Sequence, residues 1–177
     1  MNDNIEKVAN DLIRVSLTEN FVFLIGTDEE AKKCATELSK LTGKSLEIKE
    51  NGIEDSILDV YGFIDLKNNY HSTKLVRACE NGGIILITNI EKSTRNILGN
   101  LFSIIDHNVY HKGSTLGFKP RTEDNAMFPP DKVCDANNMV VPQGNYTPKE
   151  GFFMIASTTN MNEVDFLLRD RGIAFEL

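Results

Sequence analysis

The 177-residue sequence has no uninterrupted apolar run of the roughly eighteen residues that a membrane helix needs, so no helical membrane span is read. Its first residues, MNDNIEKVANDLIRV, lack the basic start and apolar centre of a signal peptide. Cysteine is scarce: Cys34, Cys79 and Cys134 are odd in number and far apart, which argues against a disulfide framework and for a reducing, intracellular compartment. Cys34 and Cys79 read as small core residues on helix faces. Histidine is equally scarce. His107 and His111 have a spacing that suits a metal on a helix, but Tyr110-His111-Lys112-Gly113 reads as chain beyond a helix end. Nothing fixes the distance to Cys134 or Asp131 as further ligands, so no metal site is assigned. No Gly-x-Ser-x-Gly elbow supports a serine hydrolase. Positive charge is in deficit, with 19 Lys and Arg against 26 Asp and Glu and a net charge of −7. That balance argues against a nucleic-acid phosphate-backbone binder. Lys112, Lys119 and Arg121 read as solvated loop charges.

What is present is a regular alternation of apolar patterns. Ile5, Val8, Ala9, Leu12 and Val15 recur at helical spacing, so residues 1–19 carry a leading amphipathic helix. Phe21–Ile25 is a short continuous apolar run that predicts a strand buried on both faces. A helix follows, with Ala31, Cys34, Ala35, Leu38 and Leu41 on one face and Gly43 closing it. Thr27 and Glu30 have the spacing of a capping box. Further strands are predicted over 45–48, 84–87, 152–156 and 174–177, and further helices over 53–60, 71–80, 94–106 and 164–168. All 5 prolines lie between 108 and 150, where periodicity fails. That stretch reads as a long insertion loop, with a hairpin that uses Met139 to Pro142. The alternation predicts one α/β domain over 1–177, a three-layer α/β/α sandwich around a mainly parallel five-stranded sheet. Ligands of such sheets sit at the carboxyl ends of the strands, here just after Ile25, Ile87 and Ala156.

Gly26-Thr27-Asp28-Glu29-Glu30-Ala31-Lys32-Lys33 follows the first strand. A phosphate-binding loop has Gly, four residues, then Gly-Lys-Ser or Gly-Lys-Thr, between a strand and a helix. Gly26 and Lys32 stand at the first glycine and the lysine. Ala31 replaces the second glycine, which would let backbone N–H groups approach phosphate. Lys33 replaces the hydroxyl that would hold Mg²⁺. Asp28, Glu29 and Glu30 put carboxylates where a triphosphate would lie, and the same acids suit a helix N-terminus. Taken locally, a capped helix with no relation to such a loop explains these residues better. After 84–87 come Thr88 and Asn89, where a P-loop ATPase carries Asp then Glu; neither can act as a base at neutral pH. Glu91 is displaced by two residues.

After the strand at 153–156 come Ser157-Thr158-Thr159-Asn160, then Leu168-Arg169-Asp170-Arg171-Gly172-Ile173. In order and spacing, residues 20–177 resemble AAA+ ATPases, most of all the midasin and dynein-related branch, with bacterial MoxR-like relatives as an alternative. That resemblance implies a P-loop NTPase-like fold in which Asn160 is the sensor asparagine. It also implies that Arg171, or Arg169, is an arginine finger offered to a neighbouring module. Ion pairing of these arginines with Asp165 or Asp170 is the competing explanation. Degenerate nucleotide-site positions are then Gly26, Thr27, Ala31, Lys32, Lys33, Thr88, Asn89 and Asn160. The sequence stops after the expected last strand, without the helical lid of the family, which suggests a fragment or a module that dispenses with nucleotide.

Three functions follow. The first is a catalytically degenerate AAA+ module, without bound cofactor, in a midasin-like ribosome-assembly or dynein-like mechanoenzyme, with neighbouring AAA+ modules or subunits as partners. It would be nuclear if midasin-like and otherwise cytoplasmic. The second is a weak ATPase that binds ATP or ADP with Mg²⁺ through Lys32, Glu91 and Asn160. The third is an adaptor that recognises a partner through residues 108–150.

Overall fold

The structure is a computed structural model that describes residues 3–65, 67, 69–107, 110–112, 132–134, 140–142 and 144–177. Five strands form its central sheet: β1 (Phe21–Ile25), β2 (Leu46–Glu50), β3 (Ile84–Thr88), β4 (Phe153–Thr158) and β5 (Ile173–Glu176). Their spatial order is β5-β1-β4-β3-β2, and all four pairings are parallel. β1, β3 and β4 are continuous apolar runs because both of their faces are covered. Helices α1 (Asp3–Val15) and α2 (Asp28–Thr42) cover one face; α3 (Ile57–Tyr61), α4 (Lys74–Asn81), α5 (Arg95–His107) and α6 (Phe166–Arg169) cover the other.

Alternate strand residues divide between two cores. Val22, Leu24, Leu86 and Ile155 pack with Leu12, Ala31, Cys34 and Leu38. Phe21, Phe23, Ile85 and Ile87 pack with Leu75, Cys79, Leu98 and Leu101. Cys34 and Cys79 are buried free thiols. The three layers are therefore those predicted from the periodicity.

Local boundaries differ where polar groups override the pattern. The 71–80 helix begins at Lys74, because Thr73 accepts the Val76 N–H as its N-cap and Tyr70–His71 pairs antiparallel with Phe63–Ile64 in a short ribbon. The 53–60 helix begins at Ile57 behind a Ser56–Asp59 capping box. The 164–168 helix begins at Phe166 behind an Asp165 cap and runs to Arg169, and a separate 3₁₀ turn, Met161–Glu163, precedes it. Leu41 is 46% exposed at the end of α2, outside the predicted inward face. Within 108–150, Tyr110–Lys112 pairs with Gly144–Tyr146 and Lys132–Cys134 pairs with Val140–Pro142, so the expected hairpin exists. Met139 lies outside the described residues. His107 ends α5 and His111 lies in a strand, so the two histidines share no helix. Among the described residues no helix is long and apolar enough to cross a membrane.

Candidate functional site

The carboxyl ends of β1, β4 and β3 lie side by side, which brings Gly26, Thr158 and Thr88 to one edge of the sheet. Gly26 N–H donates to the Thr158 carbonyl at 3.0 Å. Only Gly26 and Thr27 separate β1 from α2. The chain turns directly into the helix because a capping box closes its first turn. The Glu30 carboxylate accepts from the Thr27 backbone N–H (2.9 Å) and hydroxyl (2.8 Å), and the Glu30 N–H donates back to the Thr27 hydroxyl. These Thr27 bonds hold the Glu30 carboxyl below its ordinary pKa of 4.5. A Cβ on Gly26 would lie 3.0 Å from Leu177 Cβ and 3.2 Å from the Glu30 carboxylate, so the turn is tightly enclosed.

A loop that cradles phosphate needs successive N–H groups turned inward, which requires left-handed residues. Residues 26–31 contain none, and among the described residues the non-glycine residue with positive φ is Asn89. Asn89 stands just past β3 at φ 54° and ψ 46°, a region that asparagine tolerates. Its side-chain N–H donates to Asp28 Oδ2 at 3.1 Å, which ties the end of β3 to the first residue of α2. Thr88 and Ser157, one residue beyond the paired Ile87 and Ala156, bury hydroxyls that have no hydrogen-bond partner. One carboxylate oxygen of Glu91 is buried without a partner as well.

The remaining positions of the presumed phosphate loop point elsewhere. Ala31 is fully buried in the core beneath α2. Lys32 lines an outer groove with Ile5, Thr36 and Lys40. Lys33 pairs with Glu29 at 2.7 Å along the helix, and that contact lowers the Glu29 pKa. The structure thus brings together Gly26, Thr27, Thr88 and Asn89, and sends Ala31, Lys32 and Lys33 away. Asp28, expected as one of three acids that repel a triphosphate and suit the helix N-terminus, joins the cluster as the partner of Asn89. Its signal is long-range and no local pattern carries it.

A family model described as AAA domain, dynein-related subfamily, matches residues 22–171. The chain belongs to this family. The strand order of this AAA domain, read in chain numbering, is 5-1-4-3-2, with helices on both faces. A RuvB mutant from Thermotoga maritima is similar over 100% of this chain and 46% of its own, at 14% identity and a TM-score of 0.50. The chain therefore spans less than half of that protein, and the likeness concerns the fold. No curated protein matches.

Two positions that the sequence resemblance singled out, Asn160 and Arg171, are engaged within this AAA domain. Asn160 caps the 3₁₀ turn, where its side-chain oxygen accepts from Asn162 N–H (3.0 Å) and its amide donates to Glu163 (3.1 Å). Arg171 Nε donates to both carboxylate oxygens of Asp106 at 3.0 Å, and its guanidinium lies 3.9 Å from the centre of the Phe102 ring. Its Nη1 donates to the Leu167 carbonyl. The ion pair expected with Asp165 or Asp170 is instead made with α5, because the turn after α6 brings Arg171 back over that helix. Among the described residues Arg169 has no ion-pair partner, and it is partly exposed.

Proposed function

We propose that this AAA domain neither cradles nor hydrolyses ATP and serves as a structural or regulatory module beside neighbouring AAA domains. The observation that carries this reading is the Glu30 carboxylate seated on the first turn of α2. A nucleotide phosphate would need the same N–H groups and the same positive helix end. Mg-ATP fits the residues poorly in three further ways. No left-handed residue forms a nest, Lys33 stands where a metal-binding hydroxyl is required, and Lys32 faces an outer groove. Asp28, Glu29 and Glu30 would add like-charge repulsion against a triphosphate. Thr88 and Asn89 supply no base for an attacking water.

A module without its own catalysis can still act on a neighbour's site. Arg171 is held by Asp106, so Arg169 is the better arginine-finger candidate. The parent assembly is taken as midasin-like or dynein-like, and nuclear in the first case. The competing reading, a weak ATPase, draws on the buried, unpartnered Glu91 oxygen.

Thermal unfolding with Mg-ATP and with Mg-ADP tests the proposal. Ligand at a hundredfold over Kd would add about 2.7 kcal/mol of stability. The expected result is no shift with either nucleotide. A clear shift that is lost in Lys32→Ala would establish nucleotide binding at this site and overturn the proposal. Mixing the chain with neighbouring AAA domains should change their ATPase rate, and Arg169→Ala should abolish that change.

A further inference from the structure

A buried polar atom without a partner forfeits its bonds to water, so folded proteins leave few of them. Among the described residues, the Thr88 and Ser157 hydroxyls are shut away from solvent and form no hydrogen bond. They are neighbours. Ala156 pairs with Ile87, so the next residues, Ser157 on β4 and Thr88 on β3, stand opposite each other at the carboxyl ends of adjacent parallel strands. They also share a face. Ile84 and Leu86 of β3 pack toward α1 and α2, as do Phe153 and Ile155 of β4, and strand alternation puts Thr88 and Ser157 on that side.

Their surroundings offer little else that is polar. Leu24 stands beside Ser157 on β1, and on the far side of Thr88 the β2 residue is Glu50, which is exposed. One step back on the same face, Val22, Ile155 and Leu86 make an apolar floor. α2 crosses β3 and β4 and adds Ala31 and Cys34 to this core. Just beyond Thr88, the Asn89–Asp28 hydrogen bond ties the end of β3 to the first residue of α2. Neighbouring strands lie about 4.8 Å apart. The hydroxyls do not bond each other across that spacing, but two successive hydrogen bonds of about 2.8 Å span it. We infer that a resident water molecule bridges Thr88 Oγ1 and Ser157 Oγ beneath the first turn of α2. Water suits the pair because it donates to one hydroxyl and accepts from the other. A cation would take both oxygens and leave both hydroxyl protons unpaired, and an anion would lie in an apolar core without a countercharge. The bridge joins β3 to β4 at the edge where parallel sheets take their ligands, and supplies from inside the polar contact that these hydroxyls need.

Oxygen-17 relaxation dispersion of the 177-residue chain counts waters held for longer than the protein takes to tumble. The Thr88→Val/Ser157→Ala double variant should hold one fewer than the unaltered chain. Thermal unfolding gives an independent reading. Each single variant takes one partner from the bridging water and should lower the melting temperature, and the double variant should lose less than the sum of the two. Dry hydroxyls behave in the opposite way: each single variant then removes an unpaired polar group, and the melting temperature rises additively. Should a variant fail to fold, a crystal structure of the unaltered chain decides, with density expected within hydrogen-bond reach of both hydroxyls. An empty gap there, an unchanged water count, or melting temperatures that rise additively overturns the inference.

Discussion

Thr27 holds the amino end of α2 with a hydroxyl that accepts the Glu30 N–H and donates to the Glu30 carboxylate. Removing that hydroxyl leaves a helix donor open to water, so Thr27→Ala should cost about 1 kcal/mol by urea denaturation, and Thr27→Ser much less. Arg171 offers a second residue-scale test. Its stack on Phe102 and its fork to Asp106 are both about one-third exposed at most, so a double-mutant cycle of Arg171→Ala and Asp106→Ala should give a coupling of roughly 0.5–1 kcal/mol. A coupling near zero would mean that the arginine is free to act on a neighbour. The thiols are a third case. Burial pushes the Cys34 thiol up to about 12 and raises Cys79 as well, so the reactive thiolate is scarce near neutral pH. Native protein treated with iodoacetamide should leave both unlabelled by peptide mass spectrometry, while urea-unfolded protein should label both.

At the scale of elements, two helix ends separate conformational strain from steric crowding. Gly43 closes α2 at φ +68° and Gly82 closes α4 at φ +64°. A Cβ on Gly43 would meet nothing within 4 Å, whereas one on Gly82 would lie 2.3 Å from the Glu150 carbonyl oxygen. Gly43→Ala should therefore cost about 1 kcal/mol, the strain of a left-handed alanine, and Gly82→Ala clearly more. Equal melting-temperature losses would refute the crowding argument. The same elements show how far the sequence could be read. β1, β3 and β4 were legible because each is a short apolar run, the pattern that a parallel sheet buried on both faces demands, whereas the edge strands β2 and β5 include charged residues and are less buried. The ends of α3, α4 and α6 were not legible, since Ser56, Thr73 and Asp165 start helices by hydrogen bonds that compete with hydrophobic periodicity. At the candidate site, residues 26–33 satisfied two patterns at once, a phosphate loop by spacing and a capping box by residue type. The capping box formed because its donors and acceptors lie within one turn of each other and need no ligand. The Asn89–Asp28 and Arg171–Asp106 contacts, far apart in sequence, left no local trace.

For the whole molecule, the balance of ionisable groups sets how stability depends on pH. Hydrogen bonding to His71 and to the turn around it, where Asp65 accepts the Lys67 and Asn69 N–H groups, holds the Asp65 carboxyl far below its ordinary 3.8. Glu29 and Glu30 also lie below their ordinary 4.5. A depressed carboxyl stabilises the fold above its unfolded pKa, and that contribution disappears as pH falls through its folded value. Cys34 and Tyr61 act in the opposite direction. Burial raises them from 9.0 and 10.0 to about 12 each, so their contribution is complete below the unfolded values and is lost as pH climbs toward 12. Between these limbs, acidification from neutral pH toward the sequence pI near 5.0 also relieves repulsion from the net charge of −7. Urea midpoints measured across pH should therefore form a plateau from about pH 5 to pH 9, with an acid limb below and an alkaline limb above. Asp65→Asn should flatten the acid limb while it leaves the alkaline limb in place. An acid limb of unchanged steepness in that variant would show that the Asp65 network does not link protonation to folding.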